Sequence, residues 1–297
     1  MSYNKLSDRL KEQFGCKVYK LALDGGMNCP NRDGTCGTKG CIFCGADGSG
    51  AFAQTGSSVL EQIEQAKQRV SGKIKDGKYI AYFQNFTNTY APVDYLRPLF
   101  EAAIAHPDVA VLSVATRPDC LPPEVLTLLA ELNRQKPVWV ELGLQTIHEE
   151  TAQYIRRGYP LCVYDEAVAA LRSRGICVIT HVILGLPGET QAQMLQTVRY
   201  VGACTDGIKL QLLHVLRGTD LAADFAAGKF QTLDMDRYCA LVADCIRVLP
   251  EHVVIHRLTG DGAKKDLIAP EWSGNKKLVL HTMNRHLAHV QQGSHKE

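Results

Sequence analysis

The sequence predicts an α/β fold in which parallel strands form a partial or complete barrel of the (β/α)6 type. Apolar, β-branched runs with the composition of buried strands alternate with amphipathic helical stretches. This alternation predicts parallel strands joined by right-handed crossovers. Six or seven repeats favour a barrel over a flat doubly wound sheet, although the period alone does not decide between them. The predicted strands are residues 17–23, 79–84, 109–115, 137–143, 176–184, 207–213 and 252–257.

Composition and charge are those of an ordinary globular protein. Hydrophobic residues make up 45% of the 297 residues and charged residues 22%, which is enough chain to bury a sizeable core. No apolar run approaches the roughly 18 residues of a membrane span, so we expect a cytoplasmic protein without a membrane partner. The net charge of +2 neither requires nor excludes a nucleic-acid partner. The simplest organisation is one domain over residues 1–297, with a core at about 15–260 and a helical extension at about 261–297.

Four of the eleven cysteines lie together in the segment CPNRDGTCGTKGCIFC, residues 29–44. This segment follows the first predicted strand, in a loop rich in glycine. Because ligands of parallel α/β proteins gather at the carboxyl ends of the strands, the loop marks the expected active end of the fold. An odd number of cysteines in a reducing compartment favours metal binding or core packing over disulfides.

The cysteine spacing bears on the kind of metal site. Four thiolates suit a tetrahedral zinc ion, but zinc sites usually pair CxxC elements, and in this segment only Cys41 and Cys44 form such a pair. An iron–sulfur cluster is larger and takes its thiolates from a wider loop. If three cysteines bind a four-iron cluster, one iron keeps an open position, which indicates catalysis. A zinc-stabilised binding protein and a non-catalytic iron–sulfur electron carrier are the alternatives of another class.

Several motifs together resemble the radical S-adenosylmethionine (SAM) superfamily. The cysteine loop ends in CIFC, with Phe43 before the last cysteine. WVELGLQT, RRGY and HVILGLPGET resemble strand motifs of that superfamily in the form found in the catalytic subunit of Elongator. YFQNFTNTYAP, TRPDCLP, LHVLRGT and HRLTGDG resemble one stand-alone bacterial branch, over about residues 3–285. The resemblance implies a partial (β/α)6-type radical SAM barrel with short N-terminal and C-terminal extensions.

The resemblance also implies the cofactors, a [4Fe–4S] cluster and SAM. The family pattern places the cluster ligands at Cys29, Cys41 and Cys44 and has no required cysteine at Cys36. The spacing departs from the superfamily's most frequent CxxxCxxC, which would need a cysteine at Gly37. In such enzymes the reduced cluster cleaves SAM to methionine and a 5′-deoxyadenosyl radical, and the radical takes a hydrogen atom from the substrate.

The same resemblance assigns residues to SAM. Glu141, with Gln145 beside it, is expected to accept hydrogen bonds from the ribose hydroxyls. Arg157, with Arg117 as the second choice, is expected to bind the methionine carboxylate, because a guanidinium matches a carboxylate in geometry.

The remaining predicted site residues lie at or just after the ends of the predicted strands. Many relatives carry a GGE motif after the second strand, and this chain has QNFTN there. The residues expected to hold the amino group of SAM are Gln84, Asn85 and Thr87. Those expected near the adenine are Ile183, Gly185 and Leu212. Those expected near the substrate are Arg257 and Asp261.

The branch that the chain resembles implies a substrate and partners. The expected substrate is tRNA carrying a 5-substituted wobble uridine of the carboxymethylaminomethyl type, and the expected electron donor is a flavodoxin or ferredoxin. Acetyl transfer is not expected, because the chain has no room for an acetyltransferase domain. The alternative substrate class is a small metabolite or peptide, acted on by a radical SAM oxidoreductase.

Overall fold

Seven β-strands follow the apolar runs of the sequence and form one sheet, and two short strands complete the set of nine in the described part of the chain. The computed structural model describes residues 3–45, 48, 53, 56, 58–74, 76–260 and 265–293, with side chains up to residue 288. The strands in this part of the chain are β1 (Lys17–Leu23), β2 (Gly77–Phe83), β3 (Val109–Thr116), β4 (Val138–Gln145), β5 (Cys177–Leu184), β6 (Gly207–Leu212), β7 (Val215–Leu216), β8 (Val254–Arg257) and β9 (Leu267–Ala269).

The large sheet is parallel throughout and curled into a partial barrel. Its strand order is β1-β2-β3-β4-β5-β6-β8, which is the order along the chain, and β7 pairs with β9 in a separate antiparallel ribbon. Each connection within the sheet carries at least one helix, as expected for right-handed crossovers. The predicted α/β partial barrel is therefore confirmed.

Ten α-helices lie around this sheet in the described part of the chain. Side-chain caps stabilise the first turns of some of them: Thr190 and Gln193 form a reciprocal capping box, and Asp234 accepts a hydrogen bond from the backbone N–H of Arg237. The helices are α1 (Leu6–Phe14), α2 (Val59–Val70), α3 (Val93–Ala105), α4 (Pro123–Asn133), α5 (Glu149–Tyr154), α6 (Leu161–Arg172), α7 (Gln191–Cys204), α8 (Asp220–Ala226), α9 (Met235–Val248) and α10 (Lys276–Gly293).

The two faces of the sheet differ because side chains alternate along each strand. The outer face carries Leu21, Phe83 and Val140 into the main apolar core. The inner face begins with an apolar layer that includes Ile80 and Trp139 and packs against α1. Two residues further along the strands, the inner face becomes polar, and this second layer forms one wall of the site described below.

The seven predicted strands all appear, each within a few residues of its predicted limits. Six elements were not predicted, namely α1, α5, α8, α9, β7 and β9. The elements α5, α8, β7 and β9 contain at most seven residues, which is too few to show a period in the sequence. The helices α1 and α9 are longer and were missed. The domain limits stay a prediction. Among the helices described here, none is long and apolar enough to cross a membrane.

Candidate cofactor site

A cavity opens at the carboxyl ends of the strands, where the sequence placed the active end. Cys29, Cys41 and Cys44 line it together, and Glu141 and Arg157 line it as well. The strands of a curled parallel sheet all deliver their carboxyl ends to this side, which is why residues far apart in the chain meet there.

The loop after β1 folds back on itself and brings three cysteines to the cavity. Gly40 N–H donates to the Asn31 carbonyl (2.7 Å), and Ile42 N–H donates to the Ile155 carbonyl (3.2 Å), which ties the loop to the segment after α5. Gly40 has a φ of 71°, a conformation that glycine adopts without strain. Cys36 is exposed and lines a different groove.

Burial disfavours the thiolate forms of Cys41 and Cys44, and neighbouring donors and cations favour them. Burial raises the pKa of Cys41 to about 12 and also raises the pKa of Cys44, whereas the positive charges of Arg117 and Arg32 act in the opposite direction. Asn31 Nδ2 lies 3.5 Å from Cys41 Sγ and donates to it. Amide donors and cationic neighbours stabilise the thiolate form that iron requires.

In the part of the chain that the structure describes, no group of three or more His, Cys, Asp or Glu side chains is arranged around one metal ion. Each thiolate of an iron–sulfur cluster binds a different iron, so ligands of a cluster lie further apart than ligands of a single ion.

Glu141 lies at the centre of the buried polar layer on the inner face of the sheet. Its side chain is fully buried, and each carboxylate oxygen has two partners. Lys20 Nζ (2.7 Å) and Ser113 Oγ (2.9 Å) donate to Oε1. His181 Nε2 donates to Oε2 at 2.7 Å, and Lys209 Nζ contacts the same oxygen. These residues come from four strands besides β4 and tie the inner face together.

The charges of this layer are strongly coupled. Burial opposes ionisation of Glu141, but Lys20 and Lys209 outweigh it and hold the pKa of that carboxyl well below its usual range. Burial, together with the charge of Lys209, lowers the pKa of His181 to about 4, so its imidazole is neutral at neutral pH. The ribose role of Glu141 stays a prediction. Because protein donors occupy both oxygens, a ribose hydroxyl would have to displace one of them.

Arg157 is held by the loop after β4. Its side chain is only 2% exposed, and all three of its donor groups bind acceptors of the same region. Nε donates to the Tyr159 carbonyl (2.9 Å), Nη1 to the Thr146 carbonyl (2.7 Å) and Nη2 to Glu149 Oε1 (2.7 Å). Arg157 lines the cavity, but its guanidinium is already engaged. Its assignment to the methionine carboxylate stays a prediction.

Arg117, the second choice for that carboxylate, is engaged in a similar way. Its guanidinium forms a two-pronged pair with Asp119, at 2.9 Å and 2.6 Å, and donates to the Arg157 carbonyl at 2.9 Å. A bidentate pair of this kind is among the stronger charge-assisted contacts in proteins.

The other predicted residues fall into three groups. Of these, the following line the cavity: Phe43, Gln84, Thr87, Gln145, Ile183, Leu212 and Arg257. Asn85 and Gly185 do not line it. Asp261 lies outside the described residues.

Gln145 is directed into the cavity by an irregularity at the end of β4. The register between β4 and β5 shifts between Gly143 and Gln145, and Gln145 has a φ of 71° in the left-handed region. Such bulges re-aim side chains near active sites. Gln145 Oε1 is buried and has no hydrogen-bond partner among the described residues, so it is available to a ligand donor.

Sequence reasoning did not identify the partners of Glu141 as site residues. Lys20, Tyr82, Ser113 and Lys209 stand at inward-facing positions of their strands, each contributing to the same polar layer. A signal was present, since KVYKLAL and GIKLQLL each carry a lysine inside an otherwise apolar strand. A lysine at such a position needs a buried partner, and the sequence does not show which residue supplies it.

Comparison with known proteins identifies the class to which this site belongs. The Radical SAM superfamily matches residues 33–201, and the Radical_SAM C-terminal domain matches residues 205–289. The chain belongs to the radical SAM superfamily. It is a radical SAM enzyme, and the cofactors of its family are a [4Fe–4S] cluster and SAM.

Individual relatives cover the chain to different extents. Protein YtqA of Bacillus subtilis is 48% identical over 96% of this chain and 89% of its own length, and YhcC of Escherichia coli K12 is 39% identical over 98% and 94%. The tRNA uridine(34) acetyltransferase of Dehalococcoides mccartyi is 29% identical over 50% of this chain and 33% of that protein. The solved structure of Methanocaldococcus infernus Elp3 matches with a TM-score of 0.67 and 17% identity, over 90% of this chain and 63% of that one.

Proposed function

We propose that Cys29, Cys41 and Cys44 hold the [4Fe–4S] cluster and that the cavity beside them acts on a 5-substituted wobble uridine of tRNA. The observation that supports the cluster assignment most directly is that these three cysteines share one cavity wall while Cys36 lines another groove. Three thiolates leave one iron without a protein ligand, as SAM chemistry requires.

With cluster and SAM bound, the pair supplies a 5′-deoxyadenosyl radical that abstracts a hydrogen atom. The chain's own residues bind and orient these groups and protect them from water. Asn31 and Arg32 provide a donor and a positive charge beside the cluster thiols. Apolar side chains such as Phe43 and Ile183 narrow the cavity and exclude water from the reacting groups.

The tRNA substrate is supported by the relatives. One relative is named for action on uridine 34 of tRNA, and the fold is shared with Elp3. The match covers only about a third of the acetyltransferase. We therefore propose the wobble uridine as the target of this chain, and we do not propose acetyl transfer. The substituent acted on is then one that is already present, of the carboxymethylaminomethyl type.

Mass spectrometry of tRNA nucleosides tests this proposal. In a strain from which the gene is deleted, we expect a carboxymethylaminomethyl-type wobble uridine to accumulate and its product to disappear, because the step that consumes it is lost. Re-expression of the native protein is expected to restore the profile, whereas a Cys41→Ala variant at equal abundance is not. An unchanged wobble-uridine profile in the deletion strain would contradict the tRNA substrate and leave the radical SAM assignment intact.

A further inference from the structure

Asn31 is a buried residue that joins the cysteine loop to the segment after α5. The residue is only 4% exposed. Its Nδ2 atom lies 2.7 Å from the Arg156 carbonyl, 3.4 Å from the Arg157 carbonyl and 3.5 Å from Cys41 Sγ. Its backbone carbonyl accepts a hydrogen bond from the N–H of Gly40, which directly precedes Cys41. The side chain and the backbone of Asn31 therefore both hold the part of the loop that carries Cys41.

These contacts determine which end of the Asn31 amide faces the sulfur. The nitrogen is the donor of this side chain, and the three acceptors surround it. The oxygen lies next to Gly158, where an added Cβ atom would come within 2.6 Å of it. Gly158 also has a φ of 82°, which glycine adopts without strain. The motif RRGY, residues 156–159, thus forms a socket for Asn31, with two carbonyls that accept from it and a glycine that leaves room for it.

Further hydrogen bonds hold the socket against the cysteine loop. Arg117 Nη1 donates to the Arg157 carbonyl at 2.9 Å, so this carbonyl has a second donor besides Asn31. The N–H of Ile42, directly after Cys41, donates to the carbonyl that precedes the RRGY motif, at 3.2 Å. The chain is therefore tied to the socket on both sides of Cys41, and the donor of Asn31 is aimed at the sulfur by the fold itself.

A donor to a ligating sulfur affects how readily an iron–sulfur cluster accepts an electron. The added electron increases the negative charge on the cluster and its thiolates, so a hydrogen bond to a thiolate is stronger in the reduced state and raises the reduction potential. As a thiol, Cys41 donates to the Arg156 carbonyl at 3.7 Å. As a thiolate it has no proton to donate, and Asn31 Nδ2 remains as a donor to its sulfur.

We propose that Asn31 is a positioning residue of the cluster: held in the RRGY socket, it orients Cys41 and raises the reduction potential through its hydrogen bond to the sulfur. The inference rests on the proposed ligation by Cys29, Cys41 and Cys44, and it does not depend on the tRNA substrate. Asn31 thereby allows a weaker one-electron donor of the flavodoxin or ferredoxin class to reduce the cluster. The electron passes from that donor, which is oxidised, to the irons.

Potentiometric titration of the cluster-loaded protein, followed anaerobically by electron paramagnetic resonance, tests the proposal. Asn31→Leu removes the donor and keeps a similar volume. We expect this variant to retain its iron and to have a lower reduction potential, with reduction roughly threefold to tenfold less favourable, which is about 28–59 mV for one electron. The Arg157 carbonyl keeps Arg117 as its donor in this variant, so the socket has a reason to persist.

Gly158→Ala disturbs the same hydrogen bond from the other side. Its methyl group would displace the Asn31 side chain, so we expect the potential to fall in this variant as well. Gly175→Ala is its matched control, because Gly175 also has a positive φ, 67°, but no described atom would lie within 4 Å of an added Cβ. Asn133→Leu is the control for Asn31→Leu. Asn133 donates to the Gly175 carbonyl at 3.1 Å, at the amino ends of the strands and away from the cavity. Both controls are expected to keep the native potential.

The outcomes separate this inference from the ligand assignment. A lower potential in Asn31→Leu and Gly158→Ala, with both controls unchanged, supports the proposal. A native potential in Asn31→Leu with its iron retained overturns it, as does an equal fall in the controls. If Asn31→Leu loses its iron, the potential of Gly158→Ala decides in the same way, and loss of iron from both would overturn the tuning role in favour of a role in assembly alone. Iron retained in Cys41→Ala would instead overturn the ligand assignment itself.

Discussion

Replacement of Cys29, Cys41 or Cys44 by alanine is expected to abolish assembly of the iron–sulfur cluster and, with it, reductive cleavage of SAM. Each thiolate binds one iron, and the fourth iron is the one that SAM must reach. Loss of any one of the three ligands therefore removes the cluster or opens a second iron to solvent. Iron and acid-labile sulfide per chain, together with 5′-deoxyadenosine formed under dithionite, measure the effect in anaerobically purified protein.

Cys36→Ala is the matched control for these variants. It removes a thiol of the same loop, but this thiol is exposed and faces a groove other than the cavity. Iron content and SAM cleavage are expected to stay at the native level in this variant. The opposite pattern, with iron retained in Cys29→Ala and lost in Cys36→Ala, would show that Cys36 and not Cys29 is the third ligand.

The strand and helix pattern of the sequence was sufficient for the parallel α/β sheet and for the position of the cysteine loop, and the family resemblance added the partial barrel. Apolar runs that alternate with amphipathic stretches identify parallel strands, because strands buried on both faces tolerate few polar residues. The carboxyl ends of parallel strands then lie at the same edge of the sheet, however the side chains pack. This is why Cys41 and Glu141, a hundred residues apart in numbering, were expected at the same cavity before their positions were known.

The pairing of charges within the site could not be predicted in the same way. Which donors reach Glu141 depends on strand register and sheet curvature, which bring Lys20 and Lys209 from strands far apart in the chain. Arg157 shows the same limit. Its RRGY motif suggested a ligand for SAM, but how its guanidinium is shared among neighbouring carbonyls depends on the loop conformation after β4. Local sequence carries little information about such contacts.

The short elements at the edge of the site show another limit of prediction from the sequence. β7 and β9 contain two and three residues, and their pairing joins segments about fifty residues apart. A period of two needs more residues than this to be recognised. The pairing of β7 with β9 therefore depends on tertiary contacts that the sequence does not show.

Replacement of Glu141 by leucine is expected to lower the free energy of unfolding by about 3–5 kcal/mol, the usual cost of breaking a buried ion pair by removing one partner. The carboxylate has donors from β1, β3, β5 and β6, and leucine satisfies none of them. Lys20 can turn toward solvent, since it is 23% exposed, but Lys209 at 3% cannot. Most of the loss is therefore expected from the ammonium group of Lys209, left buried without its anion.

A double-mutant cycle with Lys209→Met tests this explanation, with urea unfolding of the anaerobic protein followed by circular dichroism. In the double variant the orphaned ammonium is gone, so we expect the protein to be more stable than Glu141→Leu alone, by at least about 1 kcal/mol. Lys78→Met provides a control, because removal of an exposed lysine should not rescue Glu141→Leu. If the effects of Glu141→Leu and Lys209→Met simply add, Lys209 does not depend on Glu141, and the carboxylate is then held for another purpose, such as the predicted contact with the ribose of SAM.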